Sequence, residues 1–211
     1  MSADAIVSLL RERYGPVGIL LHGSRAVGME RMHSDWDVSL LFTEMPVLTL
    51  NREELAGEDV EWTAVRVPVA ADAIQEAVGL ELQHAKVLWE DESHAGTKLL
   101  EQAATFYGKG VRLSEADRAK YKQYLSHKVA GMQDDIETSY MFLRHQYAFF
   151  LRASNWWFEV RGMYPKPFYL AMPFIRDHDP EYHGLLLTVS SKGSNEAKVS
   201  AARQLVSRLF A

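Results

Sequence analysis

The chain has 211 residues, 47% of them apolar, which is ample for the core of one large domain or two small ones and excludes a disordered chain. It has no cysteine, which excludes disulfides and thiolate metal sites and fits a reducing compartment. The net charge of −5 is uneven: residues 1–110 hold 9 Lys/Arg against 18 Asp/Glu, and residues 111–211 hold 14 against 10. So acidic a front half argues against simple electrostatic nucleic-acid binding there and suits a site that attracts divalent cations.

No stretch approaches 18 uninterrupted apolar residues, and the start MSADAIVSLLRERYG lacks a basic-then-apolar leader pattern. The expectation is a cytoplasmic, soluble protein with no membrane association. In chain order, ADAIVSLLRERYG reads as a helix, with Ile6, Leu9 and Leu10 at helical spacing and a glycine stop. VGILLHG then reads as a short buried strand, DVSLLF as a second and VEWTAVRV as a third, the last rich in β-branched and aromatic residues. ADAIQEAVG reads as a short helix, KVLWED as another strand and HAGTKLLEQAATFYGKG as a helix. Residues 1–110 therefore mix strands and helices over one sheet.

After Gly110 the pattern becomes helical. Ser114 with Asp117 three residues on is a helix-start signature. Tyr121, Leu125, Val129, Met132, Ile136, Tyr140, Leu143 and Tyr147 follow at steps of three and four. That stripe is too long for one ordinary helix, so a break is expected near Gly131. A second long helix is expected through NWWFEV to Arg161, with Gly162 as its stop. YPKPFYLAMP carries three prolines and reads as irregular or a short helix, and NEAKVSAARQLVSRLF as an amphipathic helix with Val199, Ala202, Leu205, Val206 and Leu209 inward.

Asp35 and Asp37 carry the chemistry. In a strand they share one face while Trp36, Val38 and Leu40 take the other. Alone, such a pair is usually two solvent-facing acids at a strand start. Held close they repel each other, and Mg²⁺ is the usual partner of one or two carboxylates plus substrate phosphate. Upstream, a strand that ends in Gly23-Ser24 and enters a helix offers unpaired N–H groups, a hydroxyl and close backbone approach to a phosphate. Arg25 could add charge to the same phosphates. Together these are both halves of a nucleoside triphosphate site.

The stretch GSRAVGMERMHSDWDVSLLF resembles the signature of the DNA polymerase β-like nucleotidyltransferase superfamily. The pattern is an apolar strand, Gly-Ser, a spacer with a second glycine, Ser-Asp-x-Asp and an apolar strand. It is matched at Gly23, Ser24, Gly28, Ser34, Asp35 and Asp37, most like the minimal and antibiotic nucleotidyltransferases of bacteria. The resemblance implies an α+β fold, with a nucleotidyltransferase palm (small mixed sheet with helices) over residues 1–110. An all-α bundle over 111–211 would bind acceptor or partner. It implies two Mg²⁺ ions and transfer of a nucleoside monophosphate from an NTP, ATP first among them, to an acceptor hydroxyl, with release of pyrophosphate. Asp35, Asp37 and a third acid would be catalytic and metal-holding, and Gly23, Ser24, Arg25 and Ser34 nucleotide-binding. Glu61 in DVEWTAVRV is the expected third acid; Asp59 shares its face and stays open.

In the rear half Trp156, Trp157, Tyr164, Phe168 and Tyr169 form an aromatic cluster, either core or the wall of an acceptor pocket. Trp156 and Glu159 are the residues expected to border such a pocket. The acceptor is open between a small molecule, such as an aminoglycoside or lincosamide, and a protein or tRNA, as in toxin–antitoxin members. A catalytically silent nucleotide-binding module is the third alternative. Among the histidines, His22 and His33 flank the motif. Arg176 and His183 formally fit the spaced Arg–His pair of HEPN ribonucleases, but Pro180 intervenes and the segment reads as a turn.

Overall fold

The computed structural model describes residues 3–47, 51–70, 73–75 and 79–211. The chain divides into two compact units, Met1–Lys109 and Gly110–Ala211. The first mixes helices with a small mixed sheet and the second is helical, so the fold class is α+β. Among the described residues no helix is long and apolar enough to cross a membrane.

In the first unit α1 (Ala3–Tyr14) leads to β1 (Gly18–Leu21), the single turn α2 (Gly23–Ala26), β2 (Trp36–Phe42), β3 (Arg52–Leu55) and β4 (Glu58–Arg66). A 3-10 helix over Gly79–His84, β5 (Lys86–Glu90) and α3 (Ala95–Gly108) follow. The strand order is β3-β4-β2-β1-β5. Only the central β2–β4 pair is parallel; its neighbours are antiparallel. A parallel neighbour cannot be reached by a tight turn, and the route from β2 to β4 passes through edge strand β3. Alternation sends Val38, Leu40, Val60 and Trp62 into a core with Ile6 and Leu10 of α1. The other face buries Leu20, Leu41 and Val65 with Leu99 and Ala103 of α3. The Asp37 carboxylate of β2 lies on this second face.

Strand β3 was not expected from its sequence. REEL is too polar to read as a strand, and it forms because Ala56 and Gly57 both take positive φ, 53° and 78°, the backbone of a two-residue hairpin turn. Alanine in place of Asn or Asp hides that turn. Most of the short helix expected over ADAIQEAVG lies outside the described residues.

The second unit comprises α4 (Glu115–Asp134), α5 (Ser139–Val160), α6 (Phe168–His178), α7 (Pro180–Ser190) and α8 (Asn195–Leu209). Ser114 and Asp117 form the capping box: Ser114 Oγ accepts from Asp117 N at 3.1 Å and Asp117 Oδ2 accepts from Ser114 N at 3.3 Å. Gly131, however, does not break the helix. Its missing Cβ leaves room for the ring of His145 from α5, and α4 runs on to Asp134. The non-helical link 135–138 then resets the phase. α5 buries Phe142, Gln146, Phe149, Ala153 and Trp157, while Tyr140, Leu143 and Tyr147, expected inward, face out. The inward residues of α8 are those expected.

The segment read as a turn is the junction of α6 and α7. Asp179 caps α7 by accepting from Tyr182 N at 3.1 Å, with Pro180 at the first helical position. Its buried carboxylate also holds Arg161 at 3.2 Å and Arg208 at 2.8 Å and accepts from Trp157 Nε1 at 3.3 Å. One side chain thereby ties α5, α7 and α8 together.

Candidate active site

Strand β1 ends at Leu21, and the next three residues set the site. His22 N donates to the Asp37 carbonyl at 2.9 Å, which pins the exit of β1 to the start of β2. Gly23 then takes φ +68°, and an ideal Cβ there would run into the Asp37 carboxylate. Both facts require glycine. Because α2 is a single turn, its leading N–H groups have no partner within the helix. A backbone free of side chain therefore lies directly against an acid.

The acids converge through strand register. Asp37 is the Cα partner of Glu61 in the parallel β2–β4 pair, so both side chains leave the same face, joined by Asp35 two residues before Asp37. Asp37 is half-buried, and its pKa is pushed up to about 6, first by burial and then by the carboxylates of Asp35, Glu61 and Glu81; Arg52 opposes the rise. Glu81, on the 3-10 helix, was not foreseen, because nothing in GLELQH marks it. Glu61 is the strand neighbour of Asp37 and acts on it directly, and Arg52 reaches both Asp59 and Glu61.

Arg52 is the resident cation of this face. From edge strand β3 it pairs with Asp59, reaches Glu61 at 3.4 Å and Asp35 at 3.6 Å. Sequence reading missed it because the strand that carries it was missed. His22 lies below: burial pushes its pKa down against the pull of Glu81 and Glu61. Neither of its ring nitrogens makes a hydrogen bond of ordinary geometry, although the Val38 backbone is within range to influence it. Ser39 Oγ, two residues along β2 from Asp37, is likewise buried without a partner.

Several expected binding residues have other employment. Arg25 donates through Nε to the Asp35 carbonyl at 2.9 Å and through Nη2 to the Ser34 carbonyl at 2.6 Å and Glu58 at 3.1 Å. It also lies over the Trp36 ring at 4.8 Å. It is a strut that positions the loop ahead of Asp35. Ser34 Oγ accepts from Arg31 N at 2.8 Å and closes the turn over residues 31–34. In the second unit Trp156 is buried and stacked on Tyr121 at 3.9 Å, and Glu159 accepts from the Tyr121 hydroxyl at 2.5 Å. Trp156 packs into the bundle because the phase of α5 turns it inward.

The chemistry of the donor set suits a hard cation: carboxylate oxygens gathered on one face, where burial first and the neighbouring acids second raise Asp37. Among the described residues no three His, Cys, Asp or Glu side chains close on a common point able to hold an ion. Arg52 supplies the positive charge among Asp35, Asp59 and Glu61 instead.

No family model matches the chain, and no curated protein matches it. Among solved structures, a nucleotidyltransferase-like protein from Exiguobacterium sibiricum is similar at 15% identity. That match covers 98% of this chain and 73% of that one, with a TM-score of 0.49. A chain of a toxin–antitoxin structure with AMP-PNP is similar at 23% identity over 50% of this chain and 87% of that one, with a TM-score of 0.36. Likenesses this distant carry no argument, and the functional reading rests on the residues of the site.

Proposed function

We propose that the first unit binds a Mg²⁺–nucleoside triphosphate, ATP first among them, and transfers its nucleoside monophosphate to an acceptor hydroxyl, releasing pyrophosphate. The observation that supports this most is the packing of the side-chain-free Gly23 backbone against the raised Asp37 carboxylate, with Glu61 in register beside it. Phosphates favour bare N–H groups, and adjacent carboxylates favour a divalent cation.

Asp35, Asp37 and Glu61 would hold the metal. When bound, Mg²⁺ neutralises phosphate charge and aligns the reacting oxygens. The Gly23-Ser24 turn receives the β and γ phosphates, and Gly23 sets how closely they approach. Glu61, half-exposed at the rim of the face, would take the acceptor's proton as the hydroxyl attacks the α-phosphorus. Arg25 acts only by holding the Ser34–Asp35 backbone. Such catalysis is mostly positioning and charge neutralisation.

Calorimetric titration with a non-hydrolysable ATP analogue tests the binding half of the proposal. Binding should require Mg²⁺ and should be lost in Asp35→Asn and Asp37→Asn variants that remain folded. Equal binding with and without Mg²⁺ would count against the site.

A further inference from the structure

Helix α5 carries two apolar stripes, and the bundle uses one. Phe142, Phe149, Ala153 and Trp157 are buried. Tyr140, Leu143, Tyr147 and Leu151 step by three and four along a different face, at 77%, 57%, 66% and 37% exposure. Phe168 extends that face, 55% exposed with its ring 5.8 Å from that of Phe150.

We propose that this face of α5 is the interface of a two-fold symmetric dimer of the chain. Exposed apolar residues scattered singly are ordinary, whereas a contiguous patch of several hundred Å² marks an interaction surface. With aromatic side chains presenting roughly 150–250 Å² each when fully exposed and leucines about 150 Å², these five offer on the order of 500 Å² per copy. Pairing two copies then removes about 1,000 Å², the threshold for a specific interface. The spacing is self-complementary. Leu143 and Leu151 lie four residues to either side of Tyr147, so an antiparallel crossing with its axis at Tyr147 sets Leu143 against Leu151 of the partner subunit. Tyr147 then meets its own symmetry mate, and Tyr140 reaches the end of the stripe near Phe168. The only acid on α5 is Glu159, so no carboxylate lies along the paired stretch. Arg144 and Arg152 are exposed beside the stripe and keep their heads in water at the rim. Two cations among so much apolar surface do not make a phosphate-neutralising face.

The cysteine-free chain makes the test direct. The wild-type protein should sediment as a dimer at micromolar concentration in high salt, with a melting temperature that rises with protein concentration, and Leu143→Glu as a monomer with unchanged circular dichroism and a concentration-independent melting temperature. Under mild oxidation Tyr147→Cys should crosslink to about twice 24.0 kDa. Tyr140→Cys, roughly 20 Å from its symmetry mate by helix rise, should not. A mixture of Leu143→Cys and Leu151→Cys chains should crosslink to each other faster than either does to itself. A wild-type monomer throughout the micromolar range would overturn the proposal. So would equal crosslinking at positions 140 and 147, or salt-sensitive nucleic-acid binding through this face by a monomeric protein.

Discussion

Asp37→Asn should make the metal-free protein more stable, although it removes a residue assigned to the active site. In the fold the pKa of Asp37 rises from the ordinary 3.8 to about 6, chiefly through burial and then through Asp35, Glu61 and Glu81. The native state thus holds this proton more tightly than the unfolded chain does. The stability associated with it is full below about pH 4, falls as pH rises toward 6 and is gone above. The whole shift corresponds to about 3 kcal/mol. Asp37 is only half-buried, so solvent screening reduces this to roughly 1–1.5 kcal/mol. Asparagine carries no charge at any of these pH values. With chelator present, urea or thermal unfolding followed by circular dichroism should show the variant ahead by that amount at pH 7.5. At about pH 4 the advantage should vanish, since both side chains are then neutral. For a unit of this size 1 kcal/mol moves the melting temperature by about 4–8 °C. A variant less stable than wild type at pH 7.5, or one with the same advantage at both pH values, would refute the electrostatic account of this face.

Gly23→Val should leave the second unit folded but abolish binding of a triphosphate analogue by calorimetry, because the side chain demands both a strained φ and the space of the Asp37 carboxylate. Arg52→Gln should raise the affinity for Mn²⁺ alone several-fold by titration calorimetry, since the ion no longer displaces a guanidinium from Asp35 and Glu61; unchanged affinity would show that Arg52 does not compete. Asp179→Asn should lower stability by about 2–3 kcal/mol in urea unfolding at pH 7 by leaving Arg161 and Arg208 short of their buried partner. Burial opposes the ionised Asp179, yet its hydrogen bonds from Arg208, Tyr182 and Trp157 hold its pKa below the usual carboxylate range. That difference should therefore shrink in acid, as pH falls through the depressed pKa.

The sequence was most legible where periodicity and local chemistry agree. Alternation in DVSLLF placed Asp37 opposite Val38 and Leu40, and Ser114 with Asp117 marked the start of α4, because both signals are local. Contributions that depend on distant register were hidden. Arg52 reaches the acids only because β3 pairs with β4, and β3 rests on an Ala-Gly turn that composition does not announce. Glu81 is delivered by a 3-10 turn with no apolar pattern. Tyr140, Leu143 and Tyr147 continue the spacing of α4 in sequence, but four residues of link turn them to the outside. Arg25 follows Gly23-Ser24 in sequence, but its donors go to the Ser34 and Asp35 carbonyls and to Glu58, which only the path of the loop over residues 27–35 reveals.

The central claim concerns which part of a nucleoside triphosphate stays behind. Incubating the protein and Mg²⁺ with ATP labelled at the α-phosphorus, and separately at the γ-phosphorus, in the presence of cell-extract acceptor pools compares the two fates directly. The account predicts that the α-label becomes attached to an acceptor while the γ-label leaves as pyrophosphate, and that Asp35→Asn and Asp37→Asn abolish both. Transfer of the γ-label to an acceptor, or α-label transfer undiminished in both variants, would contradict it.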